Sequence, residues 1–386
     1  MNQEAIKAYI KRKVDDSGYV RDFDGTLKTD SYSRVTLPGT CNALEGNTLG
    51  YYRKGRSDHL IVLFMGGGLS WSAESAKYCQ NPETVNNAKS PALYSPGVDV
   101  MTEFATFALT KRPGILALNK ENPFSDWNVA VINYVTGDFH VGCNDFPFTD
   151  ADGKQRILHH QGLHDFMLAM EKIKEFFPSP DKLLICGESA GAFAVPALAE
   201  RVMAAYPACT DVTVFSDSAL ILLDAYKTAA TEVWKAPQEL TAWIRTNNLS
   251  ADWYERLYAE KGDSIRYLYA NSYRDYLFTT FQNYVDSGSF TAHRALCDTF
   301  TPRLKAHVER LRTSCPCIHF HINDLKAAAP GAKGAEHCLL MKENFFKSVR
   351  GEAPCVKWLA DAVNGKSYDV GMGLLTAERK PFWRIR

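Results

Sequence analysis

The sequence predicts an α/β layered fold built on a mostly parallel sheet. Short, mostly apolar runs alternate with segments whose apolar residues recur at helical spacing. That is the pattern of strands buried on both faces with helices packed across them. The runs fall at 59–65, 114–118, 127–135, 182–186, 212–215 and 317–322, each rich in Val, Ile, Leu or Phe. Between them, Leu163, Phe166, Met167, Met170 and Ile173 form one helical stripe, and residues 192–206 form a second helix with Pro196 in its early turns. At the start, Ile6, Tyr9, Ile10 and Val14 mark a short amphipathic helix. Residues 225–300 differ: they are rich in tyrosine at helical spacing, with no convincing buried strand. We read them as a helical insertion, or lid, over the C-terminal edge of the sheet within a single domain spanning 1–386.

Composition bounds the function. Of 386 residues, 46% are hydrophobic, which supplies a large core and excludes disorder. Lys+Arg 44 balance Asp+Glu 44, so neither nucleic acid nor an anionic membrane is expected as a partner. No apolar stretch approaches the roughly 18 residues a membrane helix needs. The N-terminus, MNQEAIKAYIKRKVDD, lacks the apolar core of a signal peptide. Ten cysteines in so long a chain read as buried thiols rather than a disulfide scaffold. The expected compartment is the cytoplasm.

The sharpest motif is Gly187-Glu-Ser-Ala-Gly191, which follows the run at 182–186 and leads into a helix. A serine on a tight strand-to-helix turn projects its hydroxyl into the cleft, provided that small flanking residues let strand and helix approach. Ser189 is then the candidate nucleophile, and the N–H of Ala190 faces a developing oxyanion, aided by the helix N-terminus. The triple glycine Gly66-Gly67-Gly68, before Leu69 and just after a buried strand, resembles the loop that supplies further oxyanion donors in esterases. A serine of this kind needs a base and an orienting acid, which in this chain order follow it as Asp/Glu and then His. Of His293, His307, His319, His321 and His337, the last is favoured. It stands after a strand and the loop AAAPGAKGAE, and before a helix. Periodicity does not decide among Asp217, Asp275, Asp286, Asp298 and Asp324 as the acid.

Five segments together resemble the pectin acetylesterase/Notum family of α/β-hydrolase-fold carboxylesterases. They are Phe64-Met-Gly-Gly-Gly-Leu69; Asn122-Pro-Phe-Ser-Asp-Trp-Asn128 with Asn133-Tyr-Val-Thr-Gly-Asp-Phe-His-Val-Gly142; His160-Gln-Gly162; the Ser189 pentapeptide; and Ser216-Asp-Ser218 with Asp224. His337-Cys338 completes the set, and the resemblance spans roughly residues 30 to 365. It implies Ser189 as nucleophile, His337 as base and Asp275 as acid, with Gly68 or Leu69 and Ala190 as oxyanion donors. Asp217 matches a family aspartate beside the site and stays open as an alternative acid or substrate contact. Asp138 and His140, on a loop at 134–142, are candidates for substrate binding or for capping turns. Where secreted relatives resemble GGGWC and YCxG, this chain has Leu69-Ser70 and Val135. The lost half-cystines fit a bacterial-type intracellular member and weaken any inference to pectin.

The expected function is therefore a serine carboxylesterase for short-chain, first of all acetyl, esters of a small molecule or oligosaccharide, with no cofactor. Two alternatives stand beside it. One is a Notum-like lipid deacylase or thioesterase, which an elongated apolar cavity beside Ser189 would favour. The other is an inactive hydrolase fold that binds a ligand. Cys315-Pro-Cys317-Ile-His319-Phe-His321 offers soft metal ligands, but side chains on one strand face stand about 7 Å apart, too far for four to share one tetrahedral ion. No metal is expected. Oligomeric state is not legible in the chain.

Overall fold

The computed structural model describes residues 3–79, 92–97, 103, 106–107, 113–291, 294–328 and 332–376. Eleven strands are described: β1 (Val20–Asp22), β2 (Tyr32–Thr36), β3 (Leu49–Arg53), β4 (Leu60–Phe64), β5 (Asn128–Ile132), β6 (Asn144–Thr149), β7 (Gln155–His160), β8 (Lys182–Glu188), β9 (Asp211–Asp217), β10 (Arg266–Ser272) and β11 (Ile318–Asn323). Nine of them form one sheet in the order β1-β2-β3-β5-β4-β8-β9-β10-β11, while β6 and β7 pair separately. From β5 to β11 every neighbouring pair is parallel; only β3 runs against β2 and β5. Strands β4 (LIVLF) and β5 (NVAVI) are buried at every position, as strands covered on both faces must be.

The covering helices are α1 (Gln3–Asp16), α2 (Gly162–Phe176), α3 (Ala190–Ala205), α4 (Leu249–Lys261), α5 (Tyr276–Ser287), α6 (Arg294–Ser314) and α7 (Cys355–Val363). Val14 of α1 is fully buried, whereas Tyr9 is 52% exposed. In α2, Leu163, Phe166, Met170 and Ile173 face the core as expected, but Met167 is 44% exposed and lies off the stripe. Helix α3 carries Pro196 in its interior, which removes the N–H that would bond the carbonyl of Ala192. The fold supplies a substitute. Ser216 Oγ, from β9, donates to that carbonyl at 2.7 Å and itself lies 2.8 Å from the hydroxyl of Tyr254 on α4.

Two expectations are corrected here. The run at 114–118 is a 3-10 turn (Gly114–Leu116) and not a strand. Gly114 has φ +56°, and a Cβ there would stand 2.0 Å from the carbonyl of Leu340; Ile115 N–H donates to the same carbonyl at 2.7 Å. Nor is the segment 225–300 a purely helical insertion. It contains β10, which lies between β9 and β11 and is almost wholly buried. Its tyrosines hid it, since phenols read as helix-surface residues. Buried, the Tyr267 hydroxyl donates to the carbonyl of Gly262 at 2.9 Å and that of Tyr269 to Asn271 Oδ1 at 2.9 Å.

Candidate active site

The C-terminal ends of β4, β8, β9 and β10 converge on Ser189, which sits between β8 and α3 with φ +53° and ψ −123°. A non-glycine residue adopts that conformation only when its surroundings impose it. They do so through close approach. A Cβ on Gly187 would lie 2.3 Å from the carbonyl oxygen of Gly191, and one on Gly191 would lie 2.1 Å from that of Phe64. The amide of Ser189 donates to the carbonyl of Asp217 at 2.9 Å, tying the turn to β9.

The glycine loop after β4 lies directly against this turn. A Cβ on Gly66 would come within 2.6 Å of Ser189 Cβ. The loop is laced to a neighbouring segment: Leu69 N–H donates to Leu93 O and Ser95 N–H to Gly67 O, both at 2.7 Å. The Leu69 amide is therefore already committed, which corrects the expectation that it serves an oxyanion. Gly68, at φ +87°, and Ala190 have amides with no acceptor among the described residues.

His337 and Asp275 are brought together from residues 62 apart in sequence. Asp275 caps the N-terminus of α5, its Oδ1 accepting from the amide of Phe278 at 2.9 Å. Its Oδ2 lies 2.7 Å from His337 Nδ1, in a contact buried on both sides. The opposite nitrogen, His337 Nε2, is buried without a hydrogen-bond partner. The ring is held edge-on by Phe278 at 4.5 Å between centroids. His337 and Ser189 line the same cavity of about 230 Å³, whose wall is largely apolar and includes Phe139, Phe193, Phe281 and Phe290.

Asp217 is neither beside the imidazole nitrogens nor in the cavity wall. Its Oδ2 accepts from the amides of Leu339 (2.6 Å) and Leu340 (2.7 Å), while its carbonyl takes the Ser189 amide. One residue thus fastens both the serine turn and the loop that carries His337, across Cys338 with its φ of +58°. Burial pushes the Asp217 carboxyl up to about 6 against these two N–H donors. This clasp has no periodic signature in the sequence, although an aspartate at a strand's C-terminal end marks the place.

Asp138 and His140 lie behind the site. Asp138 is fully buried and accepts from Thr136 Oγ1 (2.6 Å) and the amides of His140 (3.0 Å) and Gly162 (2.9 Å), so it closes a turn. His140 Nε2 lies 3.0 Å from the carbonyl of Met65, and burial lowers the ring to about 4, keeping it neutral. The other candidates are engaged elsewhere: His307 with Asn248, His321 with the carbonyl of Ala353, Asp286 with Arg303, Asp298 with Arg274 and Asp324 with Arg350. His319 faces Asp369 at 3.4 Å. His293 lies outside the described residues. None of the ten cysteines is in a disulfide. No described helix is long and apolar enough to cross a membrane.

A mostly parallel sheet, helices on its faces and a strained serine between β8 and α3 define an α/β-hydrolase type of fold. No family model matches the chain, and no curated protein resembles it significantly in sequence. Among solved structures, it is similar to the Wnt deacylase Notum from Drosophila. The TM-score is 0.58 with 17% identity over 87% of this chain and 94% of that one. The likeness is one of fold.

Proposed function

We propose that the protein is a serine carboxylesterase. The observation that carries this reading is the His337–Asp275 pair, whose free Nε2 shares one cavity with the strained Ser189. Asp275 holds the His337 proton on Nδ1, leaving Nε2 as the base. Nε2 takes the hydroxyl proton as Ser189 Oγ attacks the ester carbonyl. The amides of Gly68 and Ala190 receive the oxyanion. The proton on Nε2 passes to the departing alcohol, and a water, deprotonated by the same nitrogen, attacks the acyl-serine to release the acid and restore Ser189.

We read the acyl group as short to medium in length. The cavity of about 230 Å³ lies below the 300 Å³ or so at which drug-sized ligand pockets begin, and that limits the chain it can enclose. Its phenylalanine lining favours the second reading, a deacylase for longer acyl chains, if the cavity opens further. Hydrolysis of p-nitrophenyl esters from acetate to dodecanoate separates the two. A maximum between acetate and hexanoate that vanishes in Ser189→Ala is the expected result. A maximum at decanoate or beyond replaces it with the longer-chain deacylase.

A further inference from the structure

Four carboxylates surround the base and nucleophile, and three of them have hydrogen-bond donors. Asp275 has His337 and the Phe278 amide; Asp217 has the amides of Leu339 and Leu340. Glu336 has Lys342 Nζ at 2.9 Å, the Ala328 amide at 2.8 Å and the Asn344 side chain at 3.2 Å. Glu188, immediately before the nucleophile, has no donor among the described residues, and it contributes to the cavity wall. Burial raises its pKa, and the charges of Lys342 and His337 oppose that rise. Lys342 is the one lysine or arginine among the described residues of the wall. Its ammonium is already held by Glu336 and by the carbonyl of His337, so it does not cap Glu188.

Beyond Ser189 and the amides of Gly68 and Ala190, which serve the reaction itself, the rest of the described wall is largely apolar. Phe139 and Phe193 stack at 4.3 Å, and Phe281 and Phe290 meet edge to face at 6.3 Å. Aromatic faces beside an unpaired carboxylate are the environment that attracts an organic cation, through ring quadrupoles and direct charge. An anionic substrate group in the same place meets the charge of Glu188, while the nearby Lys342 ammonium is already engaged by Glu336.

We propose that Glu188 makes this site selective for esters that carry an ammonium group and against esters that carry a carboxylate. The inference rests on the esterase reading and names its substrate class. It also separates this chain from hydrolases of acidic polysaccharides.

The test compares three p-nitrophenyl esters of similar length: of hexanoic acid, of ε-(trimethylammonio)caproic acid, and the monoester of adipic acid. In wild type, kcat/KM should fall in the order cationic, neutral, anionic, with about tenfold or more between the ends at low salt. Glu188→Gln and Glu188→Ala should each collapse the cationic-to-anionic ratio towards one. The ratio is read within each variant, so a general loss of activity does not disguise the result. A wild-type enzyme that hydrolyses the anionic ester as well as the cationic one overturns the proposal while leaving the esterase intact. So does a ratio unmoved in both variants. If no ester of any charge is hydrolysed, it is the esterase reading that fails.

Discussion

His337 can present a free Nε2 because Asp275 does two jobs with two oxygens, one for the imidazole and one for the first turn of α5. Asparagine is also a good helix N-cap, so Asp275→Asn should leave the fold intact while losing the charge that fixes the tautomer. We predict a kcat lower by about a thousandfold or more, with KM little changed, in steady-state ester hydrolysis. Asp217 has the opposite profile. Asp217→Asn keeps an acceptor oxygen for the Leu339 and Leu340 amides and should retain most activity. Asp217→Ala strands both buried N–H groups and should lower kcat together with stability, the latter by about 2 kcal/mol or more in urea titration. Equal damage from both substitutions would mean that the charge, and not the clasp, is what matters.

At the level of elements, the strand–serine–helix unit was the most legible part of the chain. Its glycines are demanded by contacts under 2.5 Å that any side chain would violate. Strands β4, β5, β8, β9 and β11 were legible as well, because burial on both faces leaves short runs dominated by apolar residues. Strand β10 was not, since its core side chains are phenols whose hydroxyls find partners only in the folded state. Nor were β1 to β3, which mix polar and apolar residues towards one edge of the sheet. The repair of α3 around Pro196 is equally invisible until Ser216 is seen beside it. It yields a prediction. Ser216→Ala should cost about 1–3 kcal/mol by leaving the Ala192 carbonyl unsatisfied. In a Pro196→Ala background, where residue 196 regains its N–H, the cost should shrink markedly. A double-mutant cycle by urea unfolding measures the difference, and additive costs would contradict the account.

Across the whole molecule, the sequence located Ser189, His337 and the glycine loop. The pairing of His337 with Asp275 came from the family resemblance, and the structure makes it a 2.7 Å contact. Periodicity could not choose the acid because such pairs are made by topology: β10 and β11 are neighbours, and the loops at their ends meet. The same burial leaves a pH signature away from the site. Asp165 on α2 accepts one amide bond, from Cys41, and its Oδ2 is buried without a partner. Burial pushes this carboxyl up to about 8. The folded protein therefore keeps a proton there that the unfolded chain loses near pH 3.9, and stability drains away as pH rises between those values. Asp165→Asn should be increasingly favoured over wild type in urea midpoints from pH 5 to pH 9. A constant difference would show that the group ionises normally.

The central claim is that Ser189 is a nucleophile activated by His337. It is tested most directly by incubating the protein with a fluorophosphonate and reading intact mass, followed by peptide mapping. One adduct per chain on Ser189, with labelling greatly slowed in His337→Ala, is the predicted result. No adduct, or an adduct on another residue with Ser189 untouched, would contradict it.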